Sequence, residues 1–414
     1  MKTQSYSGGI EAGDQISQNP RLTGKIIVLL AGLSAISTLS TNIILPAFPD
    51  IGEQLGVSAR ELGLTLSSFF ITFALAQLVV GPLADRYGRK KLILVGLSIF
   101  IVGTVVGGLA GSLDTLIIGR VIQALGVCAA AVLARAIARD LFDGETLARA
   151  LSLTMIATAA APGFSPLVGS VLTTTLGWRA IFILVGLAAF AVAIFYTATL
   201  GETHPTERRA PVSIPGVIVA YFRLAVNGQF ILPALSVSLL MSGLFASFGA
   251  APAILIKGIG LSSLQVGFYF AATVFVVFGA GMAAPPLARR YGAQIITSAG
   301  ILTALLGGGM LLIGPESPGL GWYSLSMVMY LWGMGLANPL GTAITMGPFG
   351  KHAGLASALL GFLTMGAAAI TTWLGSVLTF SAVTTLGGIQ TTACMIALLL
   401  FLLRGKSMAS LSQK

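Results

Sequence analysis

The chain has 414 residues, of which 56% are hydrophobic and 9% charged, with a net charge of +10. A water-soluble domain carries charge on roughly a quarter of its residues, so this composition excludes an ordinary soluble fold. The positive balance has no polar domain on which to build a nucleic-acid face, so no nucleic-acid partner is expected.

A bilayer core of about 30 Å is crossed by about 20 apolar residues at helical rise. Apolar runs between charged or turn-rich punctuation predict helices over 25–46, 61–83, 92–111, 115–137, 149–174 and 179–200. A second set follows at 229–250, 264–287, 293–313, 321–345, 353–378 and 383–404. No run shows the two-residue alternation of a membrane barrel strand. The expected fold is therefore all-α, with twelve transmembrane helices embedded in the bilayer.

Residues 1–24 form a polar tail without the apolar core of a signal peptide, and 405–414 form a second tail. Cys128 and Cys394 fall inside apolar runs and read as core thiols. Neither pairing nor metal ligation is expected of them, and no cofactor or metal is called for.

Lys and Arg set the orientation. With a cytoplasmic amino terminus, one side holds Lys2, Arg21, Lys25, Arg86, Arg89, Lys90, Lys91, Arg139, Arg149, Arg208, Arg209, Arg223, Arg289, Arg290, Lys351, Arg404, Lys406 and Lys414, with Arg135 nearby. The other side holds only Arg60, Arg179 and Lys257. This bias places both termini in the cytoplasm.

Residues 201–228 are the longest polar stretch after the amino-terminal tail, and they divide the chain into six-helix halves, 25–200 and 229–404. The halves are related. LGVSARELG (55–63) aligns with IGLSSLQVG (259–267), and PLADRYG (82–88) with PLARRYG (286–292), at the same ungapped offset of 204. Two matches in one register argue for duplication. Parallel repeats of this kind place a substrate site between the halves, near the midplane.

Three segments carry the chemistry. GPLADRYGRKK (81–91) sets Asp85 among Arg86, Arg89, Lys90 and Lys91, with Gly81 and Gly88 permitting close packing and a tight turn. It reads either as a solvated basic loop or as an ion-pair switch made and broken between two states. GRVIQALGVCAA (119–130) buries Arg120 in an apolar run, with Gln123 one helical turn away. A wet cavity or the carbonyls of neighbouring helices would have to hold that charge, which costs at least about 2.5–3.5 kcal/mol at a bilayer centre. APGFSPLVGS (161–170) places Pro162, Pro166 and Gly169 on one helix, as a hinge or a tight seam between the halves, or as ordinary membrane-helix plasticity.

Together these segments resemble the major facilitator superfamily. GPLADRYGRKK is similar to its G-x-L-a-D-r-x-G-r-k signature, GRVIQALG to the R-x-x-Q-G motif of proton-coupled members, and APGFSPLVGS to the antiporter motif. With STNIILPAFPDI (40–51) and LARAIARDLF (133–142), the chain most resembles the bicyclomycin-resistance (Bcr/CflA) drug:proton antiporters. The resemblance is densest over 40–200. It implies two pseudo-symmetric six-helix bundles in a bacterial inner membrane, alternating access, and export of small molecules coupled to protons.

One departure bears on mechanism. Position 42, usually Asp in that family, is Asn42, and none of the thirteen acids falls at the middle of a helix. Asn bonds but does not titrate. Proton coupling would then use Asp50 at the outer end of helix one, a loop acid such as Asp85, or an ionised substrate. A facilitator or metabolite exporter without coupling is the alternative, and neutral or anionic substrates are favoured over cations. Further cavity candidates are Thr38 and Gln77, Phe245 and Phe248 on helix seven, and Tyr330, Trp332 and Asn338 on helix ten. Trp322 and Tyr323 read as an interfacial belt. With two loop histidines and no clustered nucleophile or ligand set, the chain is not expected to be an enzyme. The expected partners are a small-molecule substrate, protons and lipid, with each chain working as a monomer.

Overall fold

The computed structural model describes residues 22–209 and 214–412. The tail up to residue 21, with Lys2, Glu11, Asp14 and Arg21, lies outside the described residues, as does Lys414. Among the described residues the secondary structure is entirely helical.

In chain order the helices are α1 (Gly24–Asn42), α2 (Phe48–Leu55), α3 (Ala59–Tyr87), α4 (Arg89–Gly108), α5 (Leu113–Leu141), α6 (Gly144–Leu176) and α7 (Arg179–Thr199). There follow α8 (Ile214–Ala225), α9 (Gly228–Ala251), α10 (Ser263–Tyr291), α11 (Ala293–Ile313), α12 (Leu320–Met346), α13 (Ala353–Val377) and α14 (Ala382–Ser412). Counting α1 with α2 as one span, eleven are long and apolar enough to cross a membrane. The twelfth, α12, has 27 residues, about 40 Å of helix, but is interrupted by more Gly, Ser, Tyr and Asn. It packs between α9, α10 and α11.

Three expectations are refined. The first predicted span does not run unbroken to residue 46: α1 stops at Asn42, a 3-10 turn holds Leu45–Ala47, and Asp50 rides on the separate helix α2. Pro46 and Pro49, which lack the N–H that a helix interior needs, stand at the first turns of these two short elements. The central segment expected as a linker contains a helix of its own, α8. Tyr323, assigned to an interfacial belt, is 1% exposed and packs its ring 6.0 Å from that of Tyr269, whereas its neighbour Trp322 stays 39% exposed. Tyr323 lies on the buried face of α12 with Met327, Tyr330 and Met334, so packing of that face takes it out of the interface.

The repeat is built into the helix ends. Ser58 and Glu61 form a reciprocal capping box at the start of α3, and Ser262 and Gln265 form the same box on α10. Both helices are 29 residues long, and each ends at a glycine of positive φ, Gly88 (+93°) and Gly292 (+92°). Packing repeats as well. Gly96 and Gly103 let α4 lie against the backbone of α5, and Gly300 and Gly307 do the same for α11 on α12. These pairs keep the offset of 204 that relates the two sequences. Small residues at such seams allow the close approach on which helix association in lipid depends.

The two halves meet along two equivalent seams, α3 on α13 and α10 on α6. A Cβ added at Gly63 of α3 would come 3.5 Å from the Ser376 Cβ of α13, and one added at its repeat partner Gly267 would come 2.8 Å from the Leu167 Cα of α6. The seams frame the candidate site.

Candidate functional site

The ends of α3, α5, α10 and α14 that carry Arg86, Arg139, Arg289, Arg290 and Arg404 define a basic face. Between the halves, on this face, lies a vestibule of about 590 Å³. Its walls come from α3 (Gln77, Gly81, Asp85), α5 (Arg135, Arg139, Asp140), α13 (Leu355, Ser357) and α8 (Val217, Tyr221). Gly81 has no atom near its Cβ position and leaves the wall open there. The α8 helix lines one side of the vestibule, where the Tyr221 hydroxyl donates to the carbonyl of Leu78 at 3.1 Å. Burial, and secondarily the charge of Asp85, push this phenol up to about 12, so it stays a protonated donor through the neutral range.

The opposite face is shut. Ser170 Oγ on α6 donates to the Ser263 carbonyl at 2.7 Å, and Ser263 Oγ donates to that of Pro46 at 3.3 Å. Arg60 reaches across to the carbonyl of Phe380 at 3.1 Å. Gly163 packs under Val274 and Phe270, while Gly169 seats against the carbonyl of Ile43. Here α6 runs as one helix through Pro162 and Pro166, and its glycines make a tight seam. Beneath this closure runs an aromatic chain: Phe69, Phe70, Phe245, Phe248 and Phe270, with the interbundle pair Phe70 and Phe245 at 4.8 Å.

Arg120, 1% exposed, sits behind the chain. Its Nη1 donates to the Ser40 carbonyl (2.8 Å) and to Gln123 Oε1 (3.0 Å), and its guanidinium lies 4.3 Å over the Phe69 ring. Gln123 Nε2 in turn donates to Thr104 Oγ1 at 2.9 Å. Of the two readings of the sequence, the carbonyl bonding is present, while Arg120 does not line the vestibule. Yet Nε and Nη2 of Arg120 have no hydrogen-bond partner among the described residues, nor has either amide atom of Asn42, nor Gln77 Oε1. Leaving such a buried group unpaired costs about 1–3 kcal/mol.

Other candidates are placed differently. Tyr330 is fully buried within the second bundle, where its hydroxyl donates to the Leu240 carbonyl at 2.6 Å over Gly243. Thr38 and Asn338 are half-buried, as is Asp50 at the shut face. Trp332 is 39% exposed.

At the basic face, Arg89 is buried and holds two acids: its Nη1 is 2.7 Å from Asp85, and its Nε is 3.1 Å from Asp140. Thr203 adds a hydrogen bond to Asp140 at 3.2 Å. Glu202 accepts from the backbone N–H of Arg89 (2.8 Å) and of Lys90 (3.2 Å), capping the free amides of α4. Arg86 is left outside, over the ring of Tyr87. Of this cluster the motif revealed Asp85 and Arg89. Asp140 and Glu202 come from distant segments, and only the fold brings them there.

The model of the Major Facilitator Superfamily matches residues 30–372. Multidrug resistance protein D of Escherichia coli is 30% identical over 350 residues, covering 82% of this chain and 85% of that protein. A bicyclomycin resistance protein homolog of Haemophilus influenzae is 27% identical, covering 83% and 87%. Among solved structures, an inward-facing bacterial homolog of the human lysosomal transporter Spinster superposes with a TM-score of 0.73 at 17% identity, covering 93% and 97%. A D-xylose-proton symporter gives 0.70 at 15%, covering 90% and 96%. The chain belongs to the major facilitator superfamily and is a multi-pass membrane transporter, not an enzyme.

Proposed function

We propose that this transporter exports small amphiphilic molecules from the cytoplasm or the inner leaflet by alternating access, in exchange for protons. The observation that carries this reading is the asymmetry between the faces: a 590 Å³ vestibule on the basic face, and closure by the turn after α1, α6 and α10 on the other. The positive-inside rule makes the basic face cytoplasmic, so this state is inward-facing. Relatives named for multidrug and bicyclomycin resistance support export of drug-like compounds. Arg120, Asn42 and Gln77 supply the unsatisfied polar groups a substrate would engage as the halves rock, and the phenylalanine chain supplies the apolar contacts.

A second reading has its own support. Asn42 stands where the resemblance to drug:proton antiporters implies an acid, and Arg120 has no carboxylate among its partners. Facilitated efflux without protons follows from that arrangement. The test is transport in proteoliposomes under an imposed pH gradient. Uphill movement of a drug only when protons flow back supports antiport. Downhill flux indifferent to the gradient selects the facilitator, and no flux of any amphiphile in either direction overturns export.

A further inference from the structure

The vestibule carries an imbalance of charge that the ion-pair cluster does not absorb. Three arginines line it, Arg89, Arg135 and Arg139, against two acids, Asp85 and Asp140. Both acids are spent on Arg89. Arg135 and Arg139 make no hydrogen bond or ion pair with the described residues. They stand one turn apart on α5, on the same side of the helix, an arrangement of like charges that is unfavourable by itself.

Arg139 stands near the end of α5, where a basic residue is ordinary. Arg135 is not ordinary. It lies six residues inside Leu141, about 9 Å up the helix, enclosed by protein yet exposed to the cavity. Gln77 lies on the same wall, and Ser357 opposite, on the first turns of α13. Val132, Leu133 and Leu355 supply apolar wall around the charges.

We propose that Arg135 and Arg139 form an anion subsite at the entrance of the pathway, which takes the carboxylate, sulfonate or phosphate group of an amphiphile whose apolar body lies against that wall. Two guanidinium forks can grip an oxyanion with several charge-assisted bonds. The inference rests on the transport reading for its purpose, since it names the class of compound admitted, but the binding step is testable without transport.

The probes are 1-anilinonaphthalene-8-sulfonate and its uncharged relative N-phenyl-1-naphthylamine, titrated by fluorescence against the protein in phosphatidylcholine nanodiscs, with empty nanodiscs subtracted. Arg135→Gln is expected to weaken sulfonate binding about tenfold or more while changing the neutral probe less than about twofold. Arg135→Lys, which keeps the charge and reports on folding, should recover most of the loss. Equal loss for both probes, or none for either, overturns the subsite.

A lipid headgroup offers the same chemistry. Adding phosphatidylglycerol should compete with the sulfonate in the native protein and not in Arg135→Gln if lipid is the occupant. No competition assigns the subsite to a soluble or partitioning substrate. Charge-selective binding in a protein that transports nothing would sink the export reading and leave the subsite standing.

Discussion

The carboxylate of Glu202 occupies the space that Gly88 leaves empty: a Cβ at position 88 would meet Glu202 Oε2 directly, with the Arg209 guanidinium 2.6 Å away. The turn between α3 and α4 needs glycine twice over, for its φ of +93° and for the acid that caps α4 from the linker. Gly88→Ala should therefore destabilise by about 1–3 kcal/mol, strain and lost cap together. In a Glu202→Ala background the penalty should shrink to the strain alone. Thermal unfolding of the two single mutants and the double mutant checks this; additive losses would show that the two residues do not compete for one space.

The two acids on Arg89 are unequal. Asp140 is 18% exposed and also accepts from Thr203, whereas Asp85 is 52% exposed. Asp140→Asn should cost about 1–3 kcal/mol, because it leaves a buried guanidinium underpaired. Asp85→Asn, an exposed pair, should cost less than about 1 kcal/mol. The same unfolding measurement ranks them. A larger loss from Asp85 would mean that the cluster is organised around the exposed pair.

Closure of the outer face depends on Gly267 more than on its repeat partner. Gly267→Ala brings a methyl to 2.8 Å from the Leu167 Cα and 2.9 Å from Ser170 Oγ, while Gly63→Ala meets only the Ser376 Cβ at an ordinary 3.5 Å. Backbone cannot yield without moving α6 off α10. A reporter cysteine at Ser263, in a background where the buried Cys128 and Cys394 are unreactive, should label several-fold faster in Gly267→Ala and unchanged in Gly63→Ala. Equal rates in both would mean that the seam absorbs the methyl without opening.

Arg120 and position 42 test coupling. Arg120→Ala removes the bond that ties α5 to the Ser40 carbonyl and should reduce transport at least about tenfold with the fold retained. Asn42→Asp adds a titratable acid on α1, two residues from that carbonyl. It should increase the response of flux to an imposed pH gradient. Flux in proteoliposomes gives both readings, and an unaltered pH response in Asn42→Asp would exclude position 42 from proton coupling.

Much of this architecture could be read from the chain alone. Apolar runs of bilayer length fixed the helices, because lipid leaves a backbone no other way to satisfy its amides. The offset of 204 between PLADRYG and PLARRYG marked the duplication, and the structure repeats it in matched capping boxes and matched positive-φ glycines. Arg120 and Gln123 were visible as buried polar groups one turn apart, and they do touch.

What the tertiary structure alone decided are relations between residues far apart in sequence. Arg89 meets Asp140 and Glu202 across 51 and 113 positions, and no local pattern encodes such partners. The break after Asn42, the helix α8 inside a polar linker and the inward turn of Tyr323 follow from which surfaces the bundle leaves to be covered. Tyr330 and Phe245 looked alike as aromatics on membrane helices, yet one is locked within its own bundle and the other spans the two. Composition and periodicity set which residues must leave water; only packing sets which of them face each other across a gap that can open.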